Sequence, residues 1–151
     1  MAISLKKGDK APDFVGKDQD GKTVRMTDFV GKKLVLYFYP KDDTPGCTAE
    51  SCNLRDNYEV LRSKGYAVLG VSTDDEKSHQ KFIKKYNLPF PLLADTDKTI
   101  HEQFGTWGEK KMYGKTYMGT LRTTFVIDEK GFIEEIIEKV DTQDHTKQIL
   151  K

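Results

Sequence analysis

The sequence predicts an α/β domain, with parallel strands first and an antiparallel pair towards the end. Three observations carry that prediction. Strand-like and helix-like patterns alternate from Leu34 to Gly105. The strand patterns are nearly continuous in aliphatic and aromatic residues, as in strands buried on both faces. Further on, two strand-like runs are joined by Asp128-Glu129-Lys130-Gly131, a hairpin connection.

The elements follow in order. Residues 1–22 are rich in glycine, proline and charge, and read as a turn-rich lead-in. Thr23 to Met26 is a short edge strand. Leu34 to Tyr39 is the most apolar strand pattern in the chain. After the Pro/Gly turn that follows it, Cys47, Ser51, Leu54, Tyr58 and Leu61 fall at offsets of three and four, one stripe of a helix. Lys64 and Gly65 close that helix. Tyr66 to Ser72 is the next buried strand. Asp74 and Asp75 can cap a helix from Glu76 to Tyr86. Leu92 to Ala94 is a short strand, and Asp95 or Asp97 can cap a helix that runs through Ile100 and Phe104 to Gly105. Residues 106–119, with three glycines and interleaved Lys and Tyr, read as irregular. Leu121 to Ile127 and Phe132 to Ile137 form the hairpin, and Thr142 to Leu150 is a final helix.

Composition narrows the function. A chain of 151 residues with no repeat, low-complexity tract or linker is expected to be one domain, 1–151. Eight Phe, seven Tyr and a net charge of +1 argue against disorder and against a global field that recruits nucleic acid or membrane. No apolar run reaches the length of a membrane span. The N-terminal stretch from Met1 to Lys10 has no signal-peptide core, so a cytoplasmic location is expected. In a reducing compartment the two cysteines, Cys47 and Cys52, are then catalytic, redox-active or metal-binding rather than a structural staple.

Cys47 follows Thr44-Pro45-Gly46 and falls in the first turn of a helix. Unpaired backbone N–H groups and the positive end of the helix dipole favour thiolate there. Cys47 also lies on the apolar stripe, so burial as a small apolar residue is the competing reading. The Pro-Gly turn favours reactivity. Cys52 is five residues on. Along an intact helix that spacing places the Cα atoms about 8.6 Å apart. A disulfide needs Cα atoms within about 7 Å. The two sulfurs can therefore bond only if the first turns of the helix unwind. Zinc is disfavoured, because C-x4-C lacks further clustered ligands and His79, His101 and His145 lie in separate elements.

Pro40 through Cys47, P-K-D-D-T-P-G-C, matches the P-x-x-x-T-x-x-C signature of peroxiredoxins. The C-x4-C continuation resembles the Q-type, or bacterioferritin-comigratory, members of that family. The resemblance extends to G-D-K-A-P-D-F near the start, to T-W-G-E-K-K-M-Y-G-K-T-Y-M-G, and to L-R-T-T-F-V-I-D-E-K-G. Between the cysteines, A-E-S-C departs from the commonest residues of the family but keeps its spacing.

The resemblance implies a thioredoxin-like fold, a central mixed sheet flanked by helices. It also implies thiol peroxidase activity on hydrogen peroxide and alkyl hydroperoxides. Cys47 would be the peroxidatic nucleophile and Cys52 the resolving cysteine, joined in a disulfide that a thioredoxin-like thiol reductant reopens. Thr44 would donate or relay a hydrogen bond to the peroxide. Pro40 would wall the pocket, and Arg122 would lie beside the thiolate. No cofactor or metal is expected, and the family suggests a monomer. A thioredoxin-type exchanger would show C-x-x-C, which this chain lacks.

Other residues read more plainly. Glu50 is a simple first-turn carboxylate. Trp107 and Tyr113 pack in the loop before Arg122. Lys110, Lys111 and Lys115 belong to a solvated loop rather than a nucleic-acid patch. The three histidines are surface or packing residues.

Overall fold

The computed structural model of the protein describes residues 4–150; the extreme ends of the expected 1–151 domain and the first three residues of the N-terminal stretch lie outside them. In chain order the elements are β1 (Val15–Lys17), β2 (Thr23–Arg25), a 3-10 turn (Met26–Phe29), β3 (Lys33–Phe38), α1 (Pro45–Asp56), α2 (Tyr58–Ser63) and β4 (Tyr66–Ser72). Then come α3 (Glu76–Tyr86), β5 (Leu92–Ala94), α4 (Thr99–Phe104), β6 (Trp107–Met112), β7 (Lys115–Thr120), β8 (Thr123–Ile127), β9 (Ile133–Ile137) and α5 (His145–Leu150).

The central sheet has five strands in the order β5-β4-β3-β8-β9. β3 pairs in parallel with β4, and β4 with β5. β8 runs antiparallel to both β3 and β9. The sheet is thus mixed, as expected, with the most apolar strand at its centre. Alternation along β3 divides the core into two layers. Leu34, Leu36 and Phe38 join Phe14, Ile100, Phe104 and Phe125. Val35 and Tyr37, with the following Tyr39, join Cys47 and Leu54 of α1, Leu61 of α2, Phe82 of α3 and Ile149 of α5. Every one of these side chains is buried.

The predicted helix after the turn begins at Pro45, a favoured first helical position, and is interrupted at Asn57, whose amide donates to the Asn53 carbonyl at 2.8 Å. Asp75 caps α3 through Ser78 N–H at 2.8 Å. Asp95 accepts from the N–H groups of Ile100 and His101 at the start of α4, while Asp97 accepts from that of Thr99. The final helix starts three residues later than predicted, at His145.

One segment departs from the sequence reading. Residues 106–119 contain most of a hairpin, β6 against β7, rather than irregular chain. Tyr113 and Gly114 form its two-residue turn, both at positive φ (53° and 76°), the backbone of a type I′ hairpin. The turn is Tyr-Gly instead of Asn-Gly or Asp-Gly, and β7 is largely exposed. Neither the usual turn pair nor an apolar alternation marks it.

Gly70 in β4 has a packing reason. A Cβ there would lie 2.6 Å from Leu92 Cδ2 and 2.9 Å from the Tyr37 ring. Gly70→Ala should destabilise the protein by about 1–3 kcal/mol through overpacking, read as a lower urea midpoint at unchanged slope.

Candidate active site

The site is built where β3 ends. Tyr39 leads into a loop, Pro40 to Thr44, and α1 follows with Cys47 in its first turn. The loop is held from three sides. Tyr39 Oη donates to Asp42 Oδ1 at 2.6 Å. The other Asp42 oxygen accepts from Ser78 Oγ and faces His79 Nδ1, each at 2.7 Å. The Asp42 N–H donates to Asp74 Oδ2 at 2.8 Å. Asp43 adopts a left-handed backbone, φ 57°, uncommon for a residue with a side chain. Its carboxylate is fixed by Lys85 Nζ at 2.8 Å and Tyr86 Oη at 2.6 Å, and those two hydrogen bonds hold its pKa below the usual carboxylate range. A loop set this rigidly fixes the direction in which α1 departs.

Asp42, Asp74 and His79 bring three ligand atoms within 4.8 Å of one another. Hydrogen bonds already engage them: Asp74 accepts from Ser72 Oγ at 2.8 Å, and His79 Nε2 meets the Leu93 carbonyl at 2.8 Å. The group serves as the anchor of the loop. A surface cavity of about 510 Å³ lies beside it, lined by Asp42, Asp43, Lys81 and Lys85, and takes in neither cysteine.

Thr44 occupies the N-cap position of α1 but does not cap it. Its hydroxyl donates instead to the Lys41 carbonyl at 2.9 Å. The first hydrogen bond of the helix is Thr48 N–H to the Thr44 carbonyl, 2.8 Å. The preceding N–H groups of Gly46 and Cys47 thus stay outside the helical ladder and form the partial positive charge at the helix end. Since the Thr44 proton is committed to Lys41, the Thr44 oxygen is left as an acceptor. A hydroxyl that donates to Lys41 and accepts from a bound molecule fits the relay half of the role expected for Thr44.

Cys47 is buried, and its sulfur lies 3.1 Å from Arg122 Nη2. The Arg122 Nη1 donates to Glu50 Oε1 at 2.6 Å. Gly46 makes room for this: a Cβ at residue 46 would stand 3.3 Å from Arg122 Nη2. Burial works against the Arg122 charge, but Glu50 and the Cys47 sulfur outweigh it and raise its hold on the proton. Both cysteines are free thiols, and both belong to the same continuous helix, α1. The unpaired state agrees with the spacing argument. Cys52 is half-buried, and burial raises its thiol above the ordinary range, with Arg55 opposing and Asp56 adding. Pro40 stands half-buried between Tyr39 and Lys41, at the mouth of the loop.

The sequence reading understated three residues. Glu50 is not a simple first-turn carboxylate but fully buried, and its pKa is pushed up to about 7 by desolvation, against the pull of Arg122. Lys110 lies on β6, partly buried. Burial lowers its proton affinity, Arg122 lowers it further, and Cys47 opposes them, so the lysine shares the field of the site. His145 is fully buried, with Nε2 at 3.5 Å from Glu50 Oε2. It belongs to the packing class expected for the histidines, as do His79 and His101, but each is held by polar partners. Trp107 packs edge-on to His101 with Lys98 over its ring. Tyr113 does not pack at all: it is 97% exposed at the hairpin tip.

The chain is similar to known proteins over nearly its whole length. The family model described as AhpC/TSA matches residues 7–136. The chain is 47% identical over 148 residues to a Coxiella burnetii protein named putative peroxiredoxin bcp, covering 98% of each. It is 48% identical over 146 residues to the peroxiredoxin Bcp of Escherichia coli (strain K12), covering 97% of this chain and 94% of that one. A crystal structure of a Xylella fastidiosa PrxQ mutant superposes with a TM-score of 0.92 at 31% identity, over 99% of this chain and 95% of that one. The thioredoxin-like fold expected from the motifs is borne out.

The buried Glu50 gives a pH signature. Its pKa rises on folding from about 4.5 to about 7, so its contribution to stability is full below pH 4.5 and is lost as the pH rises through 7. Relative to the wild type, Glu50→Gln should therefore be more stable at pH 8 than at pH 5, measured by urea unfolding at the two values.

Proposed function

Because the chain belongs to the AhpC/TSA family and is a thiol-dependent peroxidase of the Bcp, or Q-type, peroxiredoxins, we propose that Cys47 is its peroxidatic nucleophile and that Arg122, Thr44 and Pro40 complete the site. The observation that carries the reading is the Arg122 Nη2 contact of 3.1 Å with the Cys47 sulfur. A guanidinium cannot lose its proton in a protein. It therefore offers the sulfur a permanent positive charge and a directed donor.

The chemistry follows from the groups present. The Cys47 thiolate attacks one peroxide oxygen along the O–O axis. The O–O bond breaks, an S–O bond forms, and the departing oxygen takes a proton to leave as water or an alcohol. Sulfur is oxidised by two electrons to sulfenic acid and the peroxide is reduced by two. Developing charge on the oxygens needs donors already in position. Arg122 Nη2 and the Cys47 N–H supply them at the positive end of α1. Thr44, as an acceptor, orients the peroxide by its own hydrogen. Pro40 bounds the pocket on the loop side and limits water.

Resolution uses Cys52. Its thiolate displaces the sulfenic oxygen from Cys47, which leaves as water after protonation, and the Cys47–Cys52 disulfide forms. With both cysteines on α1, this step requires the turn between them to unwind. A dithiol such as thioredoxin then reduces the disulfide by exchange. Hydrogen peroxide and alkyl hydroperoxides are the substrates in this reading. A single working domain, 1–151, a monomer and a cytoplasmic setting complete it. No helix of the described residues is long and apolar enough to cross a membrane.

The test supplies peroxide, thioredoxin, thioredoxin reductase and NADPH, and follows NADPH. Consumption above the enzyme-free background is expected, with none for Cys47→Ser. Cys52→Ser should still form sulfenic acid at Cys47, seen by mass spectrometry, but should fail to recycle through the disulfide. Arg122→Met should lower kcat/KM by about 10²–10³-fold. Background-level consumption by the wild type would overturn the reading.

A further inference from the structure

Arg122 uses only half of the Glu50 carboxylate. Oε1 accepts from the guanidinium. Oε2 is buried with no hydrogen bond among the described residues, 3.5 Å from His145 Nε2. The surroundings of His145 fix its tautomer. The Gln148 amide cannot be flipped, since its Nε2 donates to the Lys139 carbonyl at 2.9 Å and its Oε1 accepts from Asp141 N–H at 2.8 Å. His145 Nδ1 lies 2.8 Å from that same Oε1 and must carry a proton. In a neutral ring Nε2 is then an acceptor, and the Thr124 hydroxyl donates to it across 2.7 Å.

With Glu50 ionised and His145 neutral, the unpaired Oε2 would face a ring nitrogen that is itself an acceptor, already taken by the Thr124 hydroxyl, so two acceptors would oppose each other in a buried site. Such an arrangement is costly in a buried site. One proton on either atom removes the opposition. The charge balance points the same way. A Cys47 thiolate, the Arg122 cation and the Glu50 carboxylate sum to one negative charge, and one added proton makes the buried cluster neutral. We infer that Glu50 and His145 hold one proton in common, and that this proton governs how much of the Arg122 charge is left for the Cys47 sulfur. When the pair holds the proton, Glu50 draws less on Arg122 and the thiolate is better stabilised. When the proton leaves, the carboxylate competes with the sulfur for the guanidinium. His145 is a positioning residue: it acts on Cys47 through Glu50 and Arg122.

Other ionisable groups face this pair. Arg122 bears on both members. Tyr37 on β3 feels Glu50 and Cys47, but burial holds its phenol well above 10 and keeps it neutral. Asp141, in the loop before α5, favours charge on His145. Lys110 on β6 feels Arg122 and Cys47. Burial and then Arg122 lower the proton affinity of His145, while burial raises that of Glu50, so the imidazole no longer holds the proton in preference to the carboxyl.

The inference rests on Cys47 being the nucleophile, and its test reads thiol ionisation rather than turnover. In a Cys52→Ser background only one thiol remains, and its alkylation by iodoacetamide is followed by intact mass across pH 5–9. Adding His145→Gln should displace the alkylation profile upward by about one unit, read as about tenfold slower alkylation on its acid limb. Adding Glu50→Gln as well should restore the parent rate to within about twofold, because a carboxamide mimics the protonated acid. An unchanged profile for His145→Gln, or a double variant as slow as the single, would overturn the inference. If His145→Gln does not fold, NMR of the wild type decides. His145 and Glu50 should then titrate together in one shared step. Titration of Glu50 with His145 unaffected would refute the shared proton. Because alkylation needs no peroxide, the peroxidase reading can fail or hold independently of this result.

Discussion

The Arg122 guanidinium joins parts of the chain 75 and 72 residues apart, the Cys47 sulfur and the Glu50 carboxylate. That junction depends on strand register. Thr123, the first residue of β8, is paired with Phe38, the last of β3. Arg122 therefore emerges beside the place where the chain leaves β3 for the cysteine loop. A slip of one residue in this antiparallel pair would turn every side chain of β8 to the opposite face. A slip of two would carry the guanidinium about 7 Å along the strand. The apolar layers on either side of β3, with Phe38 between Phe104 and Phe125 and Tyr37 stacked on Tyr39, hold the register. Core packing thus determines whether the sulfur has its cation.

The loop carries the complementary constraint. A left-handed Asp43 and the Asp42 hydrogen bonds to Tyr39, Ser78 and His79 would be unnecessary if the loop were a simple connector. They orient the first turn of α1 so that its free N–H groups and the guanidinium converge on one point. Thr44 contributes by what it declines to do. A threonine at the head of a helix ordinarily closes off an N–H group. Here it turns back to Lys41 and leaves the helix end open.

Much of this was legible in the sequence, for reasons that can be named. The buried strands announce themselves because parallel pairing with cover on both faces demands continuous apolar residues. Cys47, Thr44 and Pro40 lie within eight residues, so a local motif captures them. Arg122 is distant and was found only through the family block around it. Glu50 was undervalued because a glutamate in a first helical turn is ordinary in sequence, and only the approach of His145 on α5 and of Arg122 reveals its burial. The β6–β7 hairpin was missed because its strands carry Lys, Thr and Tyr on exposed faces. Lys110 went with it. In each case the missing information is a long-range contact, which neither periodicity nor turn chemistry encodes.

Asn53, next to Cys52, ties α1 to α5: its Oδ1 accepts from Thr146 N–H at 2.8 Å and its Nδ2 donates to the Gln143 carbonyl at 3.2 Å. These contacts belong to the dithiol form alone if the turn from Cys47 to Cys52 must open for the sulfurs to bond. Whatever free energy they release on closing is then added to the driving force for reduction. The helix behaves as a spring loaded by oxidation. In the proposed Cys47–Cys52 cycle it would raise the reduction potential of the pair above that of an unstrained disulfide, as expected of labile rather than structural bridges. A protein that must be recharged after every turnover therefore stores part of the recharging force in its own secondary structure.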